Sequence, residues 1–326
     1  MADKHLFKSD TELSGFESLT INQPDDYEGA VVCTLIKKKS VSESDTAVLH
    51  VHGFNDYFFH NEAAIVFAER GIHFYAVDMR KSGRSYLPHQ KFNNLRSLDE
   101  YFEDIKVSLE TIKNDGIKKI VLMGHSLGGL TVALFAEKYS DSGLFDAVFL
   151  NSPFFEQNED IVTKKILIPI VSTLAKHWPD FPVPGGFSKF YGPSLHKNFK
   201  GEWDYNLNWK PHVAPLVNSG WVRAVYLSHQ KIKQGIKLKK PTLLAYAEKS
   251  IKRFSWSEEF HTCDAVVNVK DTKKYAKNLL GDIEVLEIHD AKHDLFLSQK
   301  YVREKFYDVL FLWIDKTLAK SQLIEQ

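Results

Sequence analysis

The sequence predicts an α/β protein with a mostly parallel central sheet and helices on both faces. Short apolar runs alternate with amphipathic segments between residues 46 and 150, as they do in consecutive β and α units. Apolar residues make up 44% of the 326 residues, enough to bury a large core. The alternation stops near Pro153 and returns near Pro241. We therefore expect one large domain that carries an insertion.

The first strands are indicated by runs of β-branched and aromatic residues over 16–21 and 31–36. A turn is expected between them, over 23–26, because Gln-Pro-Asp-Asp is rich in turn-forming residues. A third run covers 46–51 and ends at His52-Gly53. These runs predict that the chain begins with β structure.

Elements of the alternating region follow from periodicity, since apolar residues three and four apart predict a helix and short apolar runs predict a strand. The predicted elements are helices over 63–70, 98–112 and 127–139 and strands over 72–77, 119–123 and 147–150. Beyond the insertion we expect strands over 242–246 and 283–288 and a last helix over 300–318. The core is thus predicted over 1–153 and 241–326.

The insertion over 154–240 is longer than a connection between two strands needs. It contains an apolar helix candidate over 161–178, interrupted at Pro169, and a Pro/Gly-rich loop over 179–186. It is predicted to be a lid over a pocket, or else a satellite hydrophobic cluster. The apolar stretch 166–171 either packs on the core or touches a membrane surface transiently. Four of the six tryptophans lie here and are expected to bind substrate: Trp178, Trp203, Trp209 and Trp221.

Composition excludes several classes of protein. Lys and Arg total 42 and Asp and Glu total 42, so the chain lacks the basic excess that nucleic-acid binding needs. The two cysteines, Cys33 and Cys263, form no disulfide framework and no zinc motif. No metal site is expected at His50 and His52, because no further ligands follow them. Residues 1–5 lack the apolar core of a secretory signal, so we expect a cytoplasmic protein. No cofactor is expected.

The strongest chemical motif is Gly124-His125-Ser126-Leu127-Gly128-Gly129, which follows a predicted strand and opens a predicted helix. This is the context of a nucleophile elbow, in which glycines allow a turn tight enough to expose the serine hydroxyl. Ser126 is therefore the predicted nucleophile. The alternative is a glycine-rich helix start with an ordinary capping serine.

A serine nucleophile needs a base, and the base needs an orienting acid. In this fold the acid and then the histidine follow the serine along the chain. His293 is favoured over His289 because it lies in the loop beyond the last predicted strand. Asp264 is the favoured acid, and Glu248 and Asp271 are the alternatives.

The oxyanion that forms during acyl transfer needs two backbone N–H donors. Leu127, directly after the nucleophile, is expected to supply one of them. Phe54 is expected to supply the other, because Gly53 allows the unusual backbone that turns this N–H inward. Gly53 and His125 are also expected to line the substrate site.

These residues resemble the α/β-hydrolase superfamily, and within it the monoacylglycerol lipase/lysophospholipase-like branch, also grouped as serine aminopeptidase S33-like. The resemblance rests on His52-Gly53, on the motif from Asp78 to Ser85, on the elbow, and on an insertion between the sixth and seventh strands. It implies an α/β-hydrolase fold with Ser126 as nucleophile, Asp264 as acid and His293 as base. One departure is Ser250, which stands where the family usually carries its acid.

The combined motifs predict a lidded serine hydrolase that cleaves carboxylic esters through an acyl-enzyme. Its expected partner is a small-molecule ester with an apolar acyl chain. One alternative is an aminopeptidase, which would need an acidic residue of the insertion to hold a free amine: Glu156, Glu202 or Asp204. The other is a catalytically silent ligand-binding protein on the same scaffold.

Overall fold

The structure, a computed structural model, describes residues 6–184 and 186–324. Residues 1–5, where no secretory signal is expected, and Gly185 of the Pro/Gly-rich loop lie outside the described residues. The strands are β1 (Lys8–Ser9), β2 (Glu17–Asp26), β3 (Gly29–Lys38), β4 (Thr46–Val51), β5 (His73–Asp78), β6 (Lys119–His125), β7 (Ala147–Asn151), β8 (Pro182–Val183), β9 (Val217–Asn218), β10 (Ile236–Lys237), β11 (Thr242–Ala247), β12 (Leu279–Leu280) and β13 (Ile283–Ile288).

Helices alternate with these strands. They are α1 (Asn61–Glu69), α2 (Asp99–Asn114), α3 (Leu127–Lys138), α4 (Ile168–Leu174), α5 (Tyr191–Leu195), α6 (Ser219–Gln234), α7 (Val269–Ala276) and α8 (Lys300–Ile324). In the described part of the chain, one sheet has the strand order β1-β2-β3-β5-β4-β6-β7-β11-β13. In this order the neighbouring pairs from β5 to β13 are all parallel. The pairs β1–β2, β2–β3 and β3–β5 are antiparallel. The predicted mostly parallel sheet flanked by helices is confirmed.

The predicted periodicities correspond to buried faces. Helix α2 buries Phe102, Ile105, Leu109 and Ile112, the residues that recur every three or four positions. Helix α3 is apolar nearly all round and is buried over most of its length, as expected for a helix packed between other elements. Packing of these helices on β6 and its neighbours holds the carboxyl ends of the parallel strands in place, where sites in such folds form.

The turn predicted over 23–26 is wrong. Strand β2 continues to Asp26, and the chain reverses at residues 27–28 before Gly29, whose φ is +96°. Pairing with β3 is irregular between Gln23 and Asp26. Pro24 falls within this irregularity, so its missing N–H removes no regular ladder hydrogen bond and the strand tolerates it.

The predicted interruption at Pro169 is also wrong. The helical conformation continues from a π-helical turn over Thr163–Leu167 directly into α4, which carries Pro169 as its second residue. Inside a regular helix proline removes one hydrogen bond and clashes with the preceding turn. The wider π-helical turn changes the hydrogen-bond spacing just before the proline, so the helix passes it and ends at Leu174.

The insertion divides into two kinds of structure. Helix α6 buries Val222, Val225 and Ile232 in the same apolar cluster as the sheet. The residues around α4 instead leave large apolar side chains in solvent. The end of the insertion is therefore built onto the core. Its action as a lid, and its boundaries at 154 and 240, stay predictions.

Candidate active site

Ser126 occupies the turn between β6 and α3. Its φ is +54° and its ψ is −117°, a backbone conformation that residues other than glycine rarely adopt. Such a conformation costs about 1–3 kcal/mol and persists only where the surroundings enforce it. The serine is held by backbone hydrogen bonds, since its N–H donates to Asn151 O at 3.0 Å and its own carbonyl accepts from Phe154 N at 2.9 Å.

The glycines on either side of Ser126 are required by close backbone contacts. A Cβ atom on Gly124 would lie 2.4 Å from the carbonyl oxygen of Gly128. A Cβ atom on Gly128 would lie 2.4 Å from the carbonyl oxygens of Val51 and His52. Real Cβ atoms are not found so close to backbone oxygens, so only glycine fits either position. The turn is as tight as the sequence motif predicts.

Asp264 and His293 form a buried pair. The Nδ1 atom of His293 lies 2.7 Å from Oδ2 of Asp264, and both side chains are almost completely excluded from solvent. The other carboxylate oxygen of Asp264 accepts the N–H groups of Val266 and Val267 at 2.8 and 2.9 Å. Because the carboxylate accepts at Nδ1, the proton of a neutral imidazole is held there and Nε2 carries the lone pair.

The Nε2 atom of His293 is buried and has no hydrogen-bond partner among the described residues. Its ring lies 4.8 Å from the ring of His125, the residue that directly precedes Ser126. The structure therefore brings the imidazole to the elbow, but it does not join Nε2 to Ser126 Oγ by a hydrogen bond. Catalytic hydrogen bonds are often long without substrate and tighten in the complex.

Asp264 reaches this position through an excursion of the chain after β11. Ser250, at the usual place of the family's acid, forms an isolated parallel bridge with Asp264. Asp264 N donates to Lys249 O, and Ile251 N donates to Asp264 O, both at 2.8 Å. Residues 251–263 leave and return, and they set Asp264 beside Ser250. Asp264 therefore lies beside position 250, where the family usually carries its acid.

The alternative candidates lie elsewhere. His289 and Glu248 contact each other, with Nδ1 and Oε2 2.9 Å apart, and the His289 side chain is 79% exposed. Asp271 pairs with Lys164 at 2.7 Å. Neither alternative carboxylate contacts His293, which contacts Asp264 instead.

The residues after β4 orient the peptide that precedes Phe54. Met79 N donates to Nε2 of His52 at 3.0 Å, so the ring proton of a neutral His52 is on Nδ1. That Nδ1 donates to the carbonyl of Gly53 at 2.7 Å. In a trans peptide the next N–H points the opposite way, so the N–H of Phe54 points away from the His52 ring.

Gly53 also lies against the nucleophile, since a Cβ atom added to it would be 3.0 Å from Cβ of Ser126. Leu127 is the first residue of α3, and N–H groups of a first helical turn have no partner within the helix. Gly53, the residue before Phe54, thus lies against Ser126, and Leu127 follows Ser126 directly in the chain.

A family model for serine aminopeptidase, S33, matches residues 42–252, which is more than half of the chain. The chain belongs to this family. It is also 31% identical over 136 residues to salicylic acid-binding protein 2 of Nicotiana tabacum, and that match covers 38% of this chain. The chain spans about half the length of this curated relative, 49% of it.

Solved structures share the fold of this S33-family chain. Monoacylglycerol lipase of Paleococcus ferrophilus is 20% identical with a TM-score of 0.65, covering 87% of this chain and 99% of its own. A soluble variant of monoglyceride lipase from Saccharomyces cerevisiae, in complex with a substrate analog, is 15% identical with a TM-score of 0.66, covering 91% and 96%. At such low identities the structural similarity shows the α/β-hydrolase fold alone. Together with the family match it confirms the predicted resemblance.

The four tryptophans of the insertion in this S33-family chain do not gather at one point. Trp221 packs on Phe54, with ring centres 4.9 Å apart. Trp209 lies edge-on to Tyr57 in a second aromatic cluster, and the Nε1 atom of buried Trp203 donates to the carbonyl of Leu297. Trp178 is 63% exposed. Of the four predicted substrate contacts, Trp221 is thus placed against the residue expected to donate to the oxyanion.

A second buried carboxylate lies beneath the elbow, and the sequence reasoning missed it. Asp294 Oδ1 accepts from Asn151 Nδ2 at 2.8 Å, and Oδ2 lies 3.4 Å from His60 Nε2 and 3.9 Å from His125 Nε2. Burial would raise the pKa of Asp294, but His125 and His60 outweigh it and hold that pKa well below its usual range. The one sequence feature that could have indicated Asp294 is its position directly after His293. No feature of the sequence indicates that His60 lies beside it.

Neither a metal site nor a membrane span is found in the described part of this S33-family chain. Over residues 6–184 and 186–324, no group of three or more His, Cys, Asp or Glu residues is placed to hold a metal ion. His50 contacts the rings of Phe58, His60 and Phe74 instead. Among the described helices, none has the length and apolarity needed to cross a membrane.

Proposed function

We propose that this chain is a serine hydrolase of carboxylic esters, of the carboxylesterase, monoacylglycerol lipase or lysophospholipase type. The observation that carries the proposal is the buried Asp264–His293 pair, in which Nε2 of His293 has no hydrogen-bond partner among the described residues and the ring lies beside His125 of the elbow. The S33 family and the lipase fold neighbours support a hydrolase. The roles below follow from this geometry.

Ser126 Oγ attacks the ester carbonyl carbon while Nε2 of His293 takes the hydroxyl proton. A C–O bond forms, and the carbonyl electron pair moves onto the oxygen to give a tetrahedral oxyanion. Collapse breaks the bond to the alcohol, which leaves with the proton from His293. Water then attacks the acyl carbon while His293 takes its proton, the bond from that carbon to Ser126 Oγ breaks, Ser126 regains the proton from His293, and the carboxylic acid is released. Asp264 holds the reactive tautomer and stabilises the imidazolium throughout.

The oxyanion is stabilised by the N–H groups of Phe54 and Leu127. Leu127 stands at the positive end of the α3 dipole, where developing negative charge is favoured. The fixed Gly53 carbonyl turns the N–H of Phe54 away from the His52 ring. Donors that are oriented before the reaction need no reorganisation, and losing one costs about 100-fold or more in rate.

Ester cleavage is favoured over aminopeptidase activity by the charges of the insertion. A free amine would need an unpaired carboxylate close to the site. The structure pairs each candidate with a cation: Glu156 with Lys233 at 2.6 Å, Glu202 with Arg303 at 2.7 Å and Asp204 with Lys197 at 2.5 Å. The aromatic ring of Trp221 beside Phe54 suits an apolar acyl chain better than an ammonium group, since these three candidate carboxylates are already paired.

Hydrolysis of p-nitrophenyl esters of increasing chain length tests the proposal, with aminoacyl p-nitroanilides assayed in parallel. We expect ester turnover, labelling by a fluorophosphonate probe, and loss of both in Ser126→Ala. Faster turnover of aminoacyl anilides would favour the aminopeptidase. A folded wild-type chain that neither turns over esters nor reacts with the probe would overturn the proposal and favour a silent ligand-binding protein.

We also propose that the insertion contacts a lipid surface transiently. Large apolar side chains stand at least 48% exposed before, along and after α4: Ile161, Val162, Ile166, Leu167, Ile170, Leu174, Trp178 and Phe181. Monomeric soluble proteins rarely expose so many large apolar residues together. The exposed Lys165 and Lys176 on the same stretch favour anionic lipid.

Co-sedimentation with phosphatidylcholine vesicles, with and without phosphatidylglycerol, tests this contact. The double variant Ile166→Asp/Ile170→Asp should lose vesicle binding and keep its turnover of a soluble short-chain ester. Leu312→Asp is the matched control, because Leu312 is 70% exposed on α8. Vesicle binding that is unchanged in the double variant would contradict the proposal.

A further inference from the structure

Three consecutive residues of the loop after β4 are bound to one short segment of the insertion. We name residues 53–57 the oxyanion loop and residues 206–211 the cap segment. Their contacts, in loop order, join Asn55 Nδ2 to Pro211 O at 2.9 Å, Asp56 Oδ1 to Lys210 Nζ at 2.7 Å, and Tyr57 Oη to Asn206 N at 2.7 Å. The loop and the segment are more than 140 residues apart in the chain.

The contacts on the loop side are excluded from water. Asn55, Asp56 and Tyr57 are at most 3% exposed, and Lys210 is 8% exposed. The ammonium group of Lys210 has the rings of Phe59 and, farther off, Tyr205 beside it, at 5.4 and 5.8 Å. A charge buried among aromatic rings is unstable without its counter-ion. Lys210 and Asp56 therefore hold each other in one geometry.

The same contacts lie beside the Phe54 peptide. On its amino side the Gly53 carbonyl is held by His52. On its carboxyl side Asn55 has a φ of +54°, a conformation that needs support from its surroundings, and its side chain is tied to Pro211. The position of the Phe54 N–H is therefore determined from both sides.

We propose that the cap segment positions the oxyanion loop, and that Lys210 and Asp56 are positioning residues for the Phe54 N–H. This proposal rests on the esterase function proposed above. It makes the insertion a part of the machinery that stabilises the oxyanion, besides any role as a cover. An oxyanion donor acts mainly in the transition state, so a misplaced Phe54 N–H lowers kcat and changes KM little.

The first test is Lys210→Met, assayed for kcat and KM on a p-nitrophenyl ester. We expect kcat to fall about 100-fold with KM within about threefold, because a small misplacement of one donor has this effect. Lys210→Arg, which keeps the charge, should recover kcat to within about tenfold of wild type. Lys197→Met is the matched control, since it removes an exposed insertion lysine, also paired with a carboxylate, and should leave both constants unchanged.

A transition-state analogue separates positioning from general damage. An alkyl trifluoromethyl ketone forms a hemiketal oxyanion on Ser126, so Lys210→Met should weaken its binding by about the same 100-fold factor as kcat. The corresponding fatty acid should bind with unchanged affinity. Equal weakening of both ligands would show a damaged pocket and overturn the proposal.

Tyr57→Phe keeps the proposal falsifiable if Lys210→Met does not fold, because it removes only the oxygen that accepts from Asn206 N. We expect it to lower kcat about tenfold without a comparable rise in KM. A folded Lys210→Met with wild-type kcat, or an unchanged Tyr57→Phe, overturns this proposal alone. Absence of ester turnover in the wild-type chain overturns the proposed function itself, and the two failures are thus distinguished.

Discussion

Two histidine–carboxylate pairs lie beyond the carboxyl ends of β11 and β13. In one, His293 contacts Asp264 at 2.7 Å, and both side chains are buried. In the other, His289 contacts Glu248 at 2.9 Å, and the imidazole stands in solvent. The two histidines are four residues apart and share a similar chemistry, so residue type and contact distance do not separate them.

Their surroundings separate them. Asp264 accepts two backbone N–H groups with its other oxygen, while Glu248, whose side chain is 29% exposed, has Nζ of Lys249 3.3 Å from the oxygen that contacts His289. A buried, fully bonded carboxylate fixes the orientation of an imidazole, and an exposed pair contributes little because solvent competes for both partners. Burial beside the elbow therefore makes one pair a candidate for catalysis and leaves the other as surface structure.

Replacing the two histidines gives the largest expected contrast. His293→Ala should lower kcat about 10⁶-fold, because Ser126 then has no base. His289→Ala should leave kcat within about twofold of wild type. Turnover of a p-nitrophenyl ester measures both, with circular dichroism to show that each variant is folded. Substantial turnover by His293→Ala, or equal losses in both variants, would contradict the assignment.

Replacing the two carboxylates gives the next contrast. Asp264→Asn should lower kcat about 10⁴-fold, because an amide no longer stabilises the imidazolium and favours the wrong tautomer. Glu248→Gln, the matched change on the surface, should have an effect of less than about twofold. The same ester assay measures both variants. A strong effect of Glu248→Gln would favour Glu248 over Asp264 as the acid.

Local patterns in the sequence predicted the sheet, the elbow and its glycines. The run over 46–51 coincides with β4, because a buried parallel strand is a short apolar run with clear ends. The run over 283–288 coincides with β13, the partly exposed strand at the edge of the sheet. The tight turn at Ser126 is encoded by glycines two residues away on either side. These features depend on neighbours in the chain, so a single sequence displays them.

Other features depend on partners that are distant in the chain. Asn55 and Pro211 are 156 residues apart, and no spacing rule connects them. The same holds for His60 beside Asp294, and for Trp203, whose Nε1 donates to the carbonyl of Leu297. Pro24 and Pro169 misled the prediction because a strand irregularity and a π-helical turn accommodate them. None of these features follows from the local preferences of the residues concerned.

Buried histidines are also expected to make the stability of the fold depend on pH. Burial lowers the pKa of His229, and likewise that of His125, to about 4, against about 6.5 in an unfolded chain. Between these values the unfolded chain binds a proton that the folded chain does not, so stability falls as the pH is lowered from 6.5 towards 4. We expect each group to contribute about 3 kcal/mol to this loss at most.

Urea unfolding at pH 7 and pH 4.5 measures this loss. His229→Gln removes one of the two groups and should lose about 2 to 3 kcal/mol less than wild type between the two pH values. His289→Gln, which removes an imidazole that is 79% exposed, is the control for the substitution itself. Parallel curves for wild type and His229→Gln would show that the buried ring does not resist protonation.

The smallest expected effect is the stability contribution of the exposed pair itself. A double-mutant cycle with Glu248→Gln and His289→Gln should give a coupling energy of about 0.5 kcal/mol or less at low salt, falling further in 1 M NaCl. The measurement is urea unfolding of the four chains at each salt concentration. A salt-independent coupling above about 2 kcal/mol would mean that this surface pair is held as rigidly as the buried one. Burial would then no longer be a reason to propose His293, and not His289, as the catalytic base.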